Sequence, residues 1–201
     1  EKFGYNTVDG IYYGQGFGIN WRPDSLHVLN TNLDLSYAFM RKAPLISWSS
    51  YFLYAPKARG KLGLNLNYKS SDFNRYTGIP GTTNLAYTLF LRNNYLKMYE
   101  QIDATLYNMI DPLHALVLTT SVNYGVQQAL ENTSLFSFFY RNEEEERFTE
   151  NPPAGRETSA RELQDHKRLL AYVELEYTPK RYYIIRNYRK VYRESKWPTF
   201  S

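Results

Sequence analysis

Apolar and polar residues alternate along residues 29–40. The positions that begin at Leu29 are apolar or aromatic with one exception, Thr31, and the positions that begin at Asn30 are mostly Asn, Asp or Ser. A period of two places these two sets on opposite faces of a β-strand. The stretch therefore predicts a strand with one apolar face and one polar face.

The same alternation recurs at hairpin spacing along most of the chain. Residues 134–140 are a further candidate strand, and residues 196–201 are typical of the opening of another. The pattern predicts an all-β fold in one domain over residues 1–201, with about eight to ten antiparallel strands in an up-and-down order. Besides residues 29–40, the predicted strands are residues 11–21, 45–54, 62–69, 84–92, 95–108, 116–126, 169–177 and 181–192.

Three glycines share one face of the predicted strand at residues 11–21. Gly14, Gly16 and Gly18 carry no side chain, so they leave room for neighbouring groups or allow sharp bending. We interpret them as positions of curvature or close packing rather than as a ligand cradle. Gly14-Gln15-Gly16 lacks the following helix that a dinucleotide-binding fingerprint requires.

Two all-β architectures fit this pattern, and they differ in the direction of the apolar face. In a soluble barrel or sandwich this face points inward, whereas in an outer-membrane barrel it contacts lipid. The polar face is poor in Lys, and aromatic residues collect near the predicted strand ends. Both features favour an antiparallel up-and-down transmembrane β-barrel, or a segment of one; a soluble, lipocalin-like barrel that binds an apolar ligand is the alternative. The aromatic residues concerned are Trp21, Phe39, Phe52, Tyr54, Tyr68 and Tyr177.

Composition excludes several classes of function. The absence of cysteine excludes disulfide scaffolds, thiol catalysis and cysteine-based zinc sites. The 24 basic and 20 acidic residues give a net charge of +4, which is too balanced to indicate nucleic-acid binding. No apolar run reaches the roughly 18 residues of a transmembrane helix, and no signal peptide is recognisable. We interpret Glu1 as a processed or truncated end, because it is not Met.

The residue pattern contains no recognisable catalytic or metal-binding arrangement. His27, His114 and His166 are far apart, and none has the spacing of metal ligands. No nucleophile-elbow motif occurs. We therefore predict no catalytic, cofactor-binding or metal-binding residue and a non-enzymatic function, with an outer-membrane hydrolase as the alternative.

The predicted loops have structural interpretations. The acidic run at residues 143–146 is interpreted as a solvated loop. The long loops at residues 70–83 and 127–165 fall at opposite ends of the sheet if Asn93-Asn94 form a turn. They fall at the same end if the chain runs straight through there or if residues 134–140 form a strand.

Charged residues on the predicted polar faces are also interpreted structurally. Charges inside a barrel usually pair with one another and fill the interior. We expect this pairing of Asp34, Glu174, Glu176, Arg186, Arg189 and Lys190.

Four short motifs resemble those of a known family. In order they are Asn6-Thr7-Val8-Asp9-Gly10, Asn94-Tyr95-Leu96-Lys97-Met98-Tyr99-Glu100, Leu130-Glu131-Asn132-Thr133 and Ser195-Lys196-Trp197-Pro198-Thr199-Phe200. The chain resembles the β-barrel region of a large family of unknown function in gram-negative outer membranes, whose members carry an N-terminal carboxypeptidase-regulatory-like domain. The resemblance implies a surface barrel with a periplasmic domain but no agreed activity or catalytic residues, and an upstream domain and final strands outside residues 1–201.

These inferences give one functional expectation. We expect a protein of the cell outer membrane that serves assembly, export or surface architecture. Its expected partners are outer-membrane lipid and lipopolysaccharide, with other outer-membrane or periplasmic proteins as further candidates, and no cofactor. The chain also resembles, more weakly, barrels that insert or translocate other outer-membrane proteins and that carry an Arg-Gly-Tyr/Phe loop motif. This resemblance is weaker because Ile185-Arg186-Asn187-Tyr188 has Asn in place of the Gly of that motif.

Overall fold

Eight strands form one antiparallel sheet in which each strand pairs with its neighbours in chain order. The computed structural model describes residues 2–72, 80–138, 148, 151, 166–187 and 189–201. The predicted all-β, up-and-down arrangement is confirmed. The strands of the sheet are β1 (Lys2–Asn6), β2 (Gly10–Trp21), β3 (Val28–Ala38), β4 (Ala43–Ala55), β5 (Gly60–Asp72), β6 (Met98–Leu113), β7 (Leu116–Ala129) and β8 (His166–Tyr177).

A helix replaces one of the predicted strands. Residues 84–92 were expected to be extended, but α1 spans Gly81–Leu91. The run Leu85-Ala86-Tyr87 and Leu89-Phe90-Leu91 is apolar without a clear period of two, and a short apolar run is compatible with either helix or strand. Within the described residues no helix is both long and apolar enough to cross a membrane.

Other predicted elements also differ in detail. The strand predicted at residues 95–108 is observed as β6, which continues through Pro112. The register of β6 shifts between Ile110 and Leu113, and proline is tolerated in a sheet at such an irregularity. Residues 181–192 form a separate hairpin, β9 (Tyr183–Arg186) and β10 (Arg189–Tyr192), rather than one strand. Residues 134–138 are not a strand, and residues 139–140 lie outside the described part of the chain.

Residues 196–201, predicted to open a further strand, form no strand in the described part of the chain and make one isolated bridge to the sheet at Phe200. Phe200 exchanges two backbone hydrogen bonds with Tyr177, at 2.8 and 2.9 Å. The hydroxyls of Thr178 and Thr199 lie 2.9 Å apart beside this bridge. The described residues show no pairing between β1 and β8.

The two ends of the sheet differ in the length of their connections. The β2–β3, β4–β5 and β6–β7 turns lie at one end, together with the hairpin that follows β8; we call this the turn end. The β1–β2 and β3–β4 turns and the long β5–β6 and β7–β8 connections lie at the other end, which we call the junction end. Both long connections therefore fall at the same end, because residues 81–91 form a helix and not a strand that crosses the sheet.

The apolar face of the sheet is exposed along its whole width. We define this face by one residue from each strand from β2 to β8, with side chains that are 36% to 68% exposed. The buried apolar residues, among them Val8, Tyr99 and Val117, lie near the two ends instead. Leu33 and Leu64 are half-buried and Leu35 and Leu66 are exposed, so these four do not form a buried core. The defining residues are Phe17, Leu35, Phe52, Leu66, Leu106, Val122 and Val173.

The opposite, polar face is tied together by cross-strand hydrogen bonds. The Ser47 hydroxyl donates to Asn67 Oδ1 (2.6 Å), and the Asn67 amide donates to Asp103 Oδ2 (3.1 Å). The Asn123 amide donates to the same Asp103 oxygen (3.5 Å), and Arg168 Nε donates to Asn123 Oδ1 (3.3 Å). This ladder crosses five strands, from β4 to β8.

The glycines of β2 pack closely against β3 on this polar face. In the strand register Gly14, Gly16 and Gly18 lie opposite Ser36, Asp34 and Asn32. A Cβ at Gly14 would overlap the Ser36 side chain, and one at Gly16 would lie 2.8 Å from an Asp34 carboxylate oxygen. The interpretation of these glycines as close-packing positions is confirmed.

Candidate functional site: a buried polar junction

The turn between β1 and β2 is shaped by Asn6. Its side-chain oxygen accepts hydrogen bonds from the backbone N–H groups of Val8 (2.9 Å) and Asp9 (2.7 Å). Its amide donates to the Asp9 carboxylate (3.0 Å). Gly10 follows with φ +68°, a left-handed conformation that favours glycine. The motif at residues 6–10 is thus a closed turn with its polar groups directed inward.

Thr7 connects this turn to two distant segments. Its hydroxyl donates to Asn132 Oδ1 (2.7 Å) and accepts from the Asn94 amide (2.7 Å). Its carbonyl accepts from the N–H of Thr133 (2.8 Å), whose hydroxyl donates to the Val8 carbonyl (2.6 Å). Three of the four motifs singled out in the sequence therefore meet at Thr7.

Two buried asparagines satisfy backbone groups of the long connections. The Asn84 side-chain oxygen, on α1, accepts from the N–H of Tyr95 (2.8 Å). The Asn151 side-chain oxygen accepts from the N–H of Met98 (2.8 Å), and its amide donates to the Leu130 carbonyl (2.6 Å). These contacts tie the β5–β6 and β7–β8 connections to the start of β6.

Arg41, in the β3–β4 turn, neutralises two carboxylates. Its guanidinium donates to Asp9 Oδ1 (3.3 Å), to the Ser70 hydroxyl (2.7 Å) and to the Glu100 carboxylate. The Ser70 hydroxyl also donates to Asp9 Oδ1 (2.6 Å), and the Tyr68 ring centre lies 6.0 Å from the guanidinium carbon. The exposed fractions of the Arg41, Asp9 and Glu100 side chains are 9%, 2% and 12%.

All four connections at the junction end thus contribute to one polar network, most of whose residues are buried or half-buried. Within the described residues no group of three or more His, Cys, Asp or Glu is arranged to hold a metal ion. The two carboxylates share one guanidinium, and the amides and hydroxyls bond to each other and to the backbone, an arrangement that fixes the connections relative to one another. We call this network the polar junction: Asn6, Thr7, Asp9, Arg41, Ser70, Asn84, Asn94, Glu100, Asn132, Thr133 and Asn151.

Replacing Thr7 with Val is expected to destabilise the fold by about 1–3 kcal/mol, because buried polar partners lose their hydrogen bonds while the side-chain shape is kept. The free energy of unfolding from urea titration measures this. Thr82→Val, at an exposed position in the first turn of α1, is the matched control. Equal effects of the two substitutions would contradict the role given to Thr7.

Several junction residues have no signal in the sequence. Thr7, Asp9, Asn94, Glu100, Asn132 and Thr133 lie in the motifs that carry the family resemblance. Arg41, Ser70, Asn84 and Asn151 lie outside those motifs, and single polar residues in turns or loops are common. Only their contacts in three dimensions identify them.

A second buried charge cluster holds the β9–β10 hairpin at the turn end. The Asp111 side chain is fully buried, with Lys190 Nζ 3.0 Å from one oxygen and Arg59 Nη1 3.9 Å from the other. Burial alone would lower the pKa of Lys190, but the interaction with Tyr192 and the ion pair with Asp111 outweigh burial and raise that pKa. The Tyr192 hydroxyl accepts from the N–H of Ala115 (3.1 Å).

The six charges expected to pair with one another are not brought together. Lys190 pairs with Asp111, and Asp34 pairs with Lys2 (2.6 Å) in a half-exposed contact. The sequence could not indicate these partners, because Lys2 and Asp111 approach only through strand register and hairpin packing. Of the other four residues, Glu174 and Glu176 lie on β8. Arg186 and Arg189 lie opposite each other in the strand register of the β9–β10 hairpin.

The three histidines lie in separate places. His27 is in the β2–β3 turn, with Nδ1 2.7 Å from Asp24. His114 is in the β6–β7 turn, with its ring centre 5.2 Å from that of Tyr183, and His166 begins β8. The acidic run at residues 143–146 lies outside the described residues.

The β2–β3 turn gives a pH prediction. Hydrogen bonds lower the pKa of Asp24 from 3.8 to about 2. The bond to the His27 side chain has the largest effect, and the bonds from the backbone N–H groups of His27 and Leu26 have smaller ones. Because this pKa is depressed in the folded state, the stabilisation is present above pH 3.8 and is lost as the pH falls toward about 2. An NMR titration of the Asp24 carboxyl carbon should show the low pKa in the native protein and a higher one in His27→Ala. An unchanged midpoint in that variant would contradict the assigned cause.

Comparison with known proteins gives one result. No curated protein and no solved structure matches the chain. Residues 1–201 match a family described as family of unknown function (DUF5686) C-terminal domain. Because this match covers every residue, the chain belongs to the family of unknown function DUF5686, as its C-terminal domain.

Proposed function

We propose that this domain is a non-enzymatic β-barrel region of the gram-negative outer membrane that serves assembly, export or surface architecture. The observation that carries the proposal is the direction of the two faces of the sheet. Apolar side chains are exposed on one face, while the other face carries a hydrogen-bonded polar ladder. This arrangement is the reverse of a water-soluble sheet and is typical of strands that contact lipid.

The extent of the apolar face supports contact with hydrocarbon. Soluble monomers rarely expose contiguous apolar patches larger than a few hundred Å², because each Å² of apolar surface in water costs about 25 cal/mol. Here the exposed face extends from β2 to β8. These strands have 11 to 16 residues, and a tilted membrane-spanning strand needs roughly 9–11.

Aromatic residues on this face lie toward both ends of the strands. Trp21, Phe52 and Tyr177 are exposed near the turn end, and Tyr13 and Tyr37 are exposed near the junction end. Aromatic girdles at the two membrane–water interfaces have this distribution. The short turns at one end and long connections at the other also fit such a barrel, in which the longer loops are extracellular.

The polar junction supports a structural role over a catalytic one. Its carboxylates are neutralised by Arg41 and its amides are bonded, so the network holds the four connections together at one end of the sheet. The proposal includes outer-membrane lipid and lipopolysaccharide as partners, other outer-membrane or periplasmic proteins as further candidates, and the association of this domain with an N-terminal carboxypeptidase-regulatory-like domain in family members.

Extraction and gel mobility test the proposal. We expect the protein to fractionate with outer membranes, to need detergent for extraction, and to migrate differently on a denaturing gel when it is not heated. A protein that is monodisperse in plain buffer and binds an apolar ligand would instead support the lipocalin-like alternative.

A further inference from the structure

Helix α1 buries two polar residues and exposes an apolar side formed by Tyr87, Phe90 and Leu91, while Leu85 and Leu89 are half-buried and the threonines of its first turn are exposed. Asn84 and Thr88, four residues apart and therefore on one face of the helix, are both 0% exposed. Phe90 and Leu91 are 48% and 53% exposed, and Tyr87 is also exposed. Residues 80–91 contain no Asp, Glu, Lys or Arg. A helix that bordered water would show the opposite distribution.

The buried polar residues of α1 are Asn84, which is part of the polar junction, and Thr88, which bonds to Asn84. The Asn84 amide donates to the Thr88 hydroxyl (3.2 Å) and to Asn94 Oδ1 (3.2 Å). The Thr88 hydroxyl donates to the Asn93 carbonyl (3.4 Å). These contacts fix the rotation of the helix, so its apolar side faces away from the junction.

The apolar side of α1 continues into an exposed aromatic surface. The Phe90 and Phe138 ring centres are 5.4 Å apart, and those of Phe136 and Phe138 are 5.3 Å apart. Phe136 in turn contacts Tyr5 at 6.5 Å, and Tyr5 shares the apolar side of β1 with Phe3. The exposed surface of α1 is therefore joined by ring contacts to the apolar side of the sheet.

We propose that α1 and residues 135–138 form an interfacial anchor, which inserts its aromatic side chains into the boundary between lipid head groups and acyl chains at the junction end. This inference rests on the proposed function, because it requires the same bilayer that surrounds the sheet. Interfacial helices bury an apolar face roughly 5–10 Å into this boundary. Most of them direct a charged face to water, whereas α1 directs an uncharged polar face into the protein.

Site-directed spin labelling tests the anchor. The chain has no cysteine, so one introduced cysteine gives a single label. Leu91→Cys and Phe90→Cys report on the anchor, Thr82→Cys on an exposed polar position of the same helix, and Leu66→Cys on the apolar face of the sheet. Each label is measured in lipid nanodiscs for collision with oxygen, which concentrates in hydrocarbon, and with a water-soluble nickel complex.

The anchor predicts that oxygen collisions exceed nickel collisions several-fold at Leu91→Cys and Phe90→Cys, and that the order is reversed at Thr82→Cys. Nickel access at Leu91→Cys and Phe90→Cys, with Leu66→Cys in lipid, would overturn the anchor and leave the proposed function intact. Shielding of both labels from both reagents would overturn it in favour of a bound protein. Nickel access at Leu66→Cys would overturn the proposed function and the anchor with it.

Discussion

Replacing Arg41 with Met is expected to destabilise the folded chain by about 3–5 kcal/mol, because it removes the cation that two buried carboxylates share. Asp9 and Glu100 would then lie close together without a neutralising partner. The Ser70 hydroxyl would also lose its contact with the guanidinium. The measurement is the free energy of unfolding from urea titration of the protein in lipid bilayers, the environment that the proposed function requires.

Two further variants make this result specific to the buried network. Arg22→Met removes an exposed arginine from the β2–β3 turn, and its expected effect is within about 0.5 kcal/mol. Adding Glu100→Gln to Arg41→Met removes one unpaired charge, so part of the lost stability should return. If Arg41→Met were as mild as Arg22→Met, the polar junction would not hold the connections at this end.

Under the proposed function, replacing Leu66 with Lys is expected to cost about 2–4 kcal/mol in a bilayer, because a charge near the middle of the proposed lipid-facing surface leaves water for hydrocarbon. Leu66 lies in the middle of β5 on the apolar face, between Trp48 and Ala104 in the strand register. In water a lysine at this exposed position would change stability little. Two quantities are measured. One is the free energy of unfolding from urea titration, and the other is the fraction of unheated protein that migrates as the folded form on a denaturing gel.

The adjacent residue provides a matched control. Asn65 lies in the same strand but on the polar face, between Ser49 and Thr105. Asn65→Lys introduces the same charge at the same depth on the other side of the sheet, and it should cost clearly less. Equal costs for the two variants would show that the faces do not meet different environments, contrary to the proposed function.

The strands could be predicted from sequence because their signal is local. The stretch at residues 29–40 was expected as a strand, and β3 spans Val28–Ala38. The helix α1 could not be predicted in this way, because its short apolar run has no clear period and is compatible with either helix or strand. Its buried Asn84 and Thr88 are interpretable only once the polar junction around them is known.

The candidate site was accessible to sequence reasoning only in part. The sequence motifs included Thr7, Asn94 and Asn132. No pattern in the sequence around them indicated that Thr7 forms hydrogen bonds with both asparagines, which are more than 80 residues away along the chain. Arg41 carried no signal at all, because a single arginine in a turn is ordinary. The network depends on the order in which the strands pair, which brings four connections to one end.

Quenching of Trp48 fluorescence tests the proposed lipid contact of the apolar face most directly. Trp48 lies on this face between Leu33 and Leu66, and its indole N–H donates to the Thr31 hydroxyl (2.6 Å). Trp21→Phe and Trp197→Phe leave Trp48 as the single tryptophan of the chain. The proposed function predicts strong quenching by lipids brominated in the acyl chain and weak quenching by aqueous acrylamide. Strong acrylamide quenching with no effect of the brominated lipids would contradict the account.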